Sequence, residues 1–197
     1  MTKGEQTRED IILKAVDIFN TKGYAASSIS DIMAATGLQK GGIYNHFSSK
    51  EELSLAAFEH ASGIVGQRMA DAIRSESNAV AKLIALITTF RMHFEKPPFR
   101  GGCAVLNAAV ESDYGNPEFR EHVCKVMDEL RSLIKYVVNE GIKRRQIKPS
   151  VNSDYCATVF IATMEGGVML SSLYHNPMYI DYSIHHLTEY IQTQLAL

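Results

Sequence analysis

This 197-residue sequence predicts an all-α fold of about nine helices, on three observations. Apolar residues recur at three- and four-residue spacing along most of the chain, which places them on one face of a helix. Strand signals, the two-residue alternation above all, are absent. Turn-forming clusters separate the periodic stretches: Ser75-Glu76-Ser77-Asn78, Pro97-Pro98 with Gly101-Gly102, Gly115-Asn116-Pro117, Lys148-Pro149-Ser150 and Asn176-Pro177.

The first helix is expected over about 5–21, where Ile12, Ala15, Val16 and Phe19 fall at i, i+3, i+4 and i+7, and it stops at Gly23. Ser28 with Asp31 three residues on reads as a capping pair, opening a short second helix that buries Ile29, Ile32 and Met33 and closes at Gly37. A third short helix covers roughly 39–46. Ser49 with Glu52 is a second capping pair, and it opens a long fourth helix over about 50–73. Further helices are expected at about 77–95, 104–112, 117–145, 153–174 and 181–195.

Composition narrows the function classes. Hydrophobic residues at 46% and charged residues at 21% describe a folded chain with a real core. Charged residues from Lys3 to Asp17 leave no signal-peptide h-region, and Glu165 interrupts the longest apolar stretch, Ala157 to Leu173, which reads as a buried helix. No membrane association and a cytoplasmic location are therefore expected. Three widely spaced cysteines predict reduced thiols with no disulfide framework. No Ser/His/Asp arrangement, phosphate loop, zinc signature or other metal-ligand spacing is present, so neither an enzyme nor a cofactor is expected. Glu118 and His122, four apart, and the adjacent His185-His186 read as solvated surface residues. The net charge of −2 argues weakly against a nucleic-acid partner, although residues 1–50 hold six Lys/Arg against five Asp/Glu, and the rest fourteen against seventeen.

Geometry speaks more clearly than charge. Two short helices joined by Thr36-Gly37-Leu38-Gln39 have the layout of a helix-turn-helix, whose second helix enters the major groove of DNA. Leu38 would point inward. The following segment, Gln39-Lys40-Gly41-Gly42-Ile43-Tyr44-Asn45-His46, carries a cation for phosphate, amides for base edges or phosphates, and flat rings with polar tips. Each glycine inside a helix costs roughly 1 kcal/mol relative to alanine, so Gly41-Gly42 needs a reason, and close approach to a phosphate or base edge supplies one. The same spacing also suits an ordinary packing corner.

From Ser28 to Leu53, and from Ile11 to Phe19 with Gly23-Tyr24, order, spacing and residue type closely resemble the amino-terminal signature of the TetR family of transcriptional regulators. The resemblance implies a three-helix DNA-binding domain over 1–50, a linking fourth helix, and an effector-binding and dimerisation domain over 51–197. It implies that Ser28 caps the second helix against a phosphate, that Lys40, Tyr44 and His46 meet the DNA backbone, that Gln39 and Asn45 lie nearest the bases, and that Lys50 reaches a phosphate. Phe47 and Leu53 look like packing residues. Gln39 and Gly42 depart from the family's habit of a small hydroxyl residue and a threonine, which leaves the operator sequence open. Double-stranded operator DNA, a homodimer through the last two helices and an unidentified small-molecule effector are the implied partners.

For the dimer contact, Tyr155, Val159, Ala162, Gly166, Leu170 and Leu173 share helical spacing, and Gly166-Gly167 permit close helix approach. Candidate effector-pocket residues are Phe90, His93, Phe94, Cys103, Met127, Phe160, Met164 and Glu165, although apolar members of such a set also serve as plain core. Glu165 is either a ligand anchor or a paired structural acid. Cys103, just before a short helix, could act as a redox or electrophile sensor, or be inert. A repressor released by its effector is the leading expectation; a helical interaction module without DNA binding is the alternative.

Overall fold

The computed structural model describes residues 2–112 and 116–197, and Gly115 of the expected break lies outside them. The helices are α1 (Lys3–Lys22), α2 (Ile29–Thr36), α3 (Lys40–Tyr44), α4 (Lys50–Arg74), α5 (Ala79–Glu95), α6 (Ala104–Ser112), α7 (Pro117–Lys143), α8 (Ser153–Tyr174) and α9 (Met178–Tyr190), the last continuing as a π-helical turn, Ile191–Leu195. No strand occurs among the described residues. A lone antiparallel bridge ties Ile147 to Ala196.

Capping explains most of the boundaries. Thr2 and Glu5 form a reciprocal capping box at α1, and Ser28 with Asp31 forms another at α2. Asn78 and Asn152 each accept two backbone N–H groups at the starts of α5 and α8. The expected helix over 39–46 is shorter, Lys40–Tyr44, with Gln39 as its cap. Beyond Tyr44 the backbone tightens: His46 N–H donates to the Ile43 carbonyl at 2.9 Å, and the chain turns so that Phe47 is buried.

Contacts divide the chain into two compact units, Met1–Ile64 with Phe99–Val126, and Val65–Pro98 with Met127–Leu197. In the first, Ile11, Ala15 and Phe19 of α1 share a core with Ile32, Ile43, Phe47, Leu53 and Phe58. Phe19 stacks on Tyr24 at 5.4 Å between ring centroids, and Phe119 lies 4.7 Å from Tyr24 and 5.5 Å from Phe58. The Phe99–Gly102 loop is clasped to the end of α1 by two asparagines. The buried Asn20 donates to the Arg100 and Gly102 carbonyls at 2.6 and 3.1 Å, and Asn107 of α6 donates to Asn20 Oδ1 at 2.9 Å and to the Gly101 carbonyl at 2.8 Å. Gly101 has φ +96°, and a Cβ there would stand 2.4 Å from the Asn20 carbonyl oxygen, so only glycine fits.

In the second unit, Cys156, Ala157, Phe160, Met164, Gly167, Val168 and Ser171 line the inner face of α8, at the four- and three-residue spacing a helix needs to bury one stripe. That stripe packs on α9 and α5. Ile180 N–H donates to the buried Ser171 hydroxyl at 2.9 Å. A Cβ at Gly167 would meet Ser183 Oγ at 2.4 Å, so this glycine sets the α8–α9 approach inside the chain, whereas a Cβ at Gly166 would meet nothing. The expectation that Ala157–Leu173 is a buried helix therefore holds for one face. Tyr155, Ala162, Met169 and Leu173 on α8, with Tyr182 on α9, are exposed. By length and composition alone, α8 could also cross a bilayer.

Candidate nucleic-acid interface

The α2–turn–α3 segment is held from both ends. Lys22 at the end of α1 pairs with Asp31 at 2.5 Å, and Asp31 also accepts from the Ser28 backbone and hydroxyl, each at 2.9 Å. The Lys22 ammonium, and after it the Ser28 donors, hold the Asp31 carboxyl down at about 2, so this cap is charged at any physiological pH. Gly37 ends α2 in the left-handed region, φ +74°, and donates to the Met33 carbonyl at 2.9 Å. Thr36 Oγ1 accepts from the Leu38 N–H at 3.3 Å, which fixes the turn.

α3 is anchored by one side. Ile43 is fully enclosed and Leu38 is half-buried, while Gln39, Lys40, Gly41, Tyr44 and Asn45 are exposed and His46 is half-buried. The Gln39 side chain makes no capping bond. The Lys40 ammonium lies 5.7 Å from the Tyr44 ring centroid, a cation–π pair that holds a positive charge over the helix face. A Cβ at Gly41 would meet nothing within 4 Å, and one at Gly42 only Leu38 Cβ, at an ordinary 3.5 Å. The fold therefore requires neither glycine for space. Lys50 donates to the Ala25 carbonyl at 3.0 Å, which joins the start of α4 to the α1–α2 turn.

One basic residue escaped the sequence reading. The Arg8 guanidinium of α1 lies 4.8 Å from the Phe47 ring centroid, next to the end of α3. The pair spans 39 positions, and no local pattern signals it.

The effector candidates divide between the units. Phe90, Phe160 and Met164 are core residues of the second unit, Glu165 is buried on α8, and His93, Phe94 and Met127 are half-buried. His93 Nε2 is enclosed without a hydrogen-bond partner among the described residues, and burial, helped by the positive charge of Arg68, pulls its pKa down to about 4. Cys103 belongs to the first unit, at the amino end of α6, where its carbonyl accepts from Asn107 N–H. The buried Cys156 thiol is pushed up to about 12 by burial and is an unreactive core residue. His122 Nδ1 sits 2.9 Å from the Glu118 carbonyl oxygen, and no metal-ligating cluster occurs among the described residues.

A capped helix pair joined by a left-handed glycine, with its second helix fastened on one face and polar on the other, defines a helix-turn-helix transcription regulator. Residues 11–57 match the family described as "Bacterial regulatory proteins, tetR family", and residues 79–187 match "Tetracyclin repressor-like, C-terminal domain". The chain belongs to the TetR family. It is 47% identical to a TetR transcriptional regulator from Chloroflexus aurantiacus of known crystal structure, with all of both chains covered and a TM-score of 0.96. A TetR-family regulator from Cytophaga hutchinsonii superposes with a TM-score of 0.90 at 25% identity, over 100% of this chain and 98% of that one. The fatty acid metabolism regulator protein of Bacillus subtilis is 24% identical over 155 residues, covering 79% of this chain and 78% of that protein.

Proposed function

We propose that the chain is an effector-released repressor that binds a near-palindromic DNA operator as a homodimer. One observation carries the DNA reading: among the described residues the Gln39 and Asn45 side chains make no hydrogen bond and Gly41 stands open, in a segment whose other side is locked by Ile43 and Phe47. In this reading Lys40, Tyr44 and His46 meet the phosphate backbone, Gln39 and Asn45 lie nearest base edges, and Gly41 and Gly42 let the α3 backbone approach the duplex. Ser28 offers the α2 amino terminus to a phosphate, and Lys50 exchanges its Ala25 contact for another. Residues 1–50 form the reading head, α4 carries the signal, and 51–197 bind the effector and the second subunit, all in the cytoplasm.

The exposed apolar face of α8 and α9 supports the homodimer. Tyr155, Met169, Leu173 and Tyr182, each more than half exposed, would form an unusually greasy patch on a monomer. The open side of Gly166 lets a partner helix approach. A palindromic site requires the two α3 helices of such a pair to stand about one DNA turn apart, ~34–36 Å. The enclosed His93 nitrogen, unpartnered among the described residues, supports a ligand pocket that takes a hydrogen-bonding group.

The test is fluorescence anisotropy on duplexes from the DNA flanking the chain's own gene, with wild type, Lys40→Ala and Tyr44→Ala. Salt-sensitive binding is expected in wild type, with both variants weaker by at least about tenfold. Binding that ignores both substitutions would overturn the placement of α3. Native mass spectrometry of the purified protein reads both the dimer and any retained effector.

A further inference from the structure

The first unit contains an open cleft of about 400 Å³ that the regulator reading leaves without a task. Its walls come from four places: Tyr24 and Ala25 in the α1–α2 turn, Ser49, Lys50, Glu51, Glu52, Ser54 and Leu55 around the start of α4, Glu111 at the end of α6, and Asn116, Glu118 and Phe119 at the start of α7. The volume falls within the range of small-molecule sites.

Its charge is one-sided. Four carboxylates, Glu51, Glu52, Glu111 and Glu118, face a single cation, Lys50. Glu52 is spent on the Ser48 backbone and hydroxyl, and Glu111 Oε2 accepts from Ala25 N–H at 3.2 Å. Among the described residues no salt bridge joins Glu51, Glu111 or Glu118 to a cation.

A second observation is independent of that charge. Tyr24 is 9% exposed, and its hydroxyl makes no hydrogen bond among the described residues, although it lines the cleft. The hydroxyl is therefore available to a group placed in the cleft, as donor or acceptor. The Tyr24 and half-buried Phe119 rings, 4.7 Å apart, add an aromatic wall. We infer that this cleft is a binding site for a small organic cation, its ammonium held by Glu51, Glu111 and Glu118 and its apolar body set against Tyr24 and Phe119. Such a ligand would share the cleft with Lys50 and push that like charge from its Ala25 contact.

The test uses the full chain without DNA, so it stands or falls apart from operator binding. Isothermal titration calorimetry with benzyltrimethylammonium is expected to give one saturable site with Kd of about 1 mM or tighter, weakening with added salt. Benzyl alcohol and benzoate are expected to bind at least about tenfold more weakly, because they lack the positive charge. Glu51→Gln/Glu118→Gln, both at exposed positions, should weaken the probe by at least about fivefold, and Tyr24→Phe by a smaller factor. Glu76→Gln/Glu129→Gln makes the same charge change in the second unit and should leave binding as in wild type. Absence of saturable binding at about 20 mM probe, equal binding of the neutral analogue, or equal loss in both double variants each overturns the assignment.

Discussion

Asn107→Ala tests whether the clasp at the end of α1 stabilises the first unit as its geometry implies. The Asn107 amide makes two short hydrogen bonds, to Asn20 Oδ1 at 2.9 Å and the Gly101 carbonyl at 2.8 Å, and a longer one to the Asn20 carbonyl at 3.3 Å. Two net bonds at about 1 kcal/mol each give about 2 kcal/mol. Asn20 is 6% exposed, so losing the donor to its Oδ1 leaves a buried acceptor unmet and raises the expected cost to about 2–3 kcal/mol. Urea unfolding followed by helical circular dichroism measures it. Because the chain has two compact units, a double-mutant cycle with Asn20→Ala is the cleaner readout, and its coupling should be about 1–2 kcal/mol. Gly101→Ala should cost at least about 3 kcal/mol, since its Cβ collides with the Asn20 backbone at a φ of +96°. A cost below about 0.5 kcal/mol for Asn107→Ala, with an additive cycle, would refute the clasp.

Gly41→Ala should leave the fold intact, or steadier by up to about 1 kcal/mol, yet weaken DNA by at least about tenfold; equal losses in both would mean that the glycine serves the fold. Lys40→Ala should lower the slope of log K against log salt by about 1, read from anisotropy at several salt concentrations. Leu173→Glu, 66% exposed on α8, should shift sedimentation to a monomer without changing helical content, and an unaltered dimer would place the interface elsewhere. For His93, the folded pKa of about 4 lies below the ordinary 6.5. The native state therefore binds fewer protons than the unfolded chain between those values, so the stability that neutral His93 contributes is present above about 6.5 and drains away as pH falls towards about 4. His93→Gln should flatten that part of the stability–pH curve, and an unchanged slope would remove His93 as the cause.

What was legible in the sequence had local causes. The α6 and α8 boundaries agree with the expected 104–112 and 153–174 because prolines, glycines and an Asn152 cap act within a few residues of where they stand. The Ser28–Asp31 box was readable for the same reason. The true length of α3 was not, because its last turn yields to the burial of Phe47 in a core built largely by other helices. Pairings across long separations carry no periodic trace: Arg8 with Phe47, and Asn20 with Asn107, 87 positions apart, became visible only when the chain had folded. The glycine pair on α8 shows where pattern reading stops. Both residues promised close helix contact, but about 100° of rotation around the helix axis separates their duties. Gly167 meets Ser183 inside the chain, while Gly166 opens outward beside the exposed apolar stripe. Only the position of α9 could divide them, and the division makes the homodimer reading specific: a bulky side chain at 167 breaks the subunit, whereas one at 166 keeps the subunit and obstructs its partner.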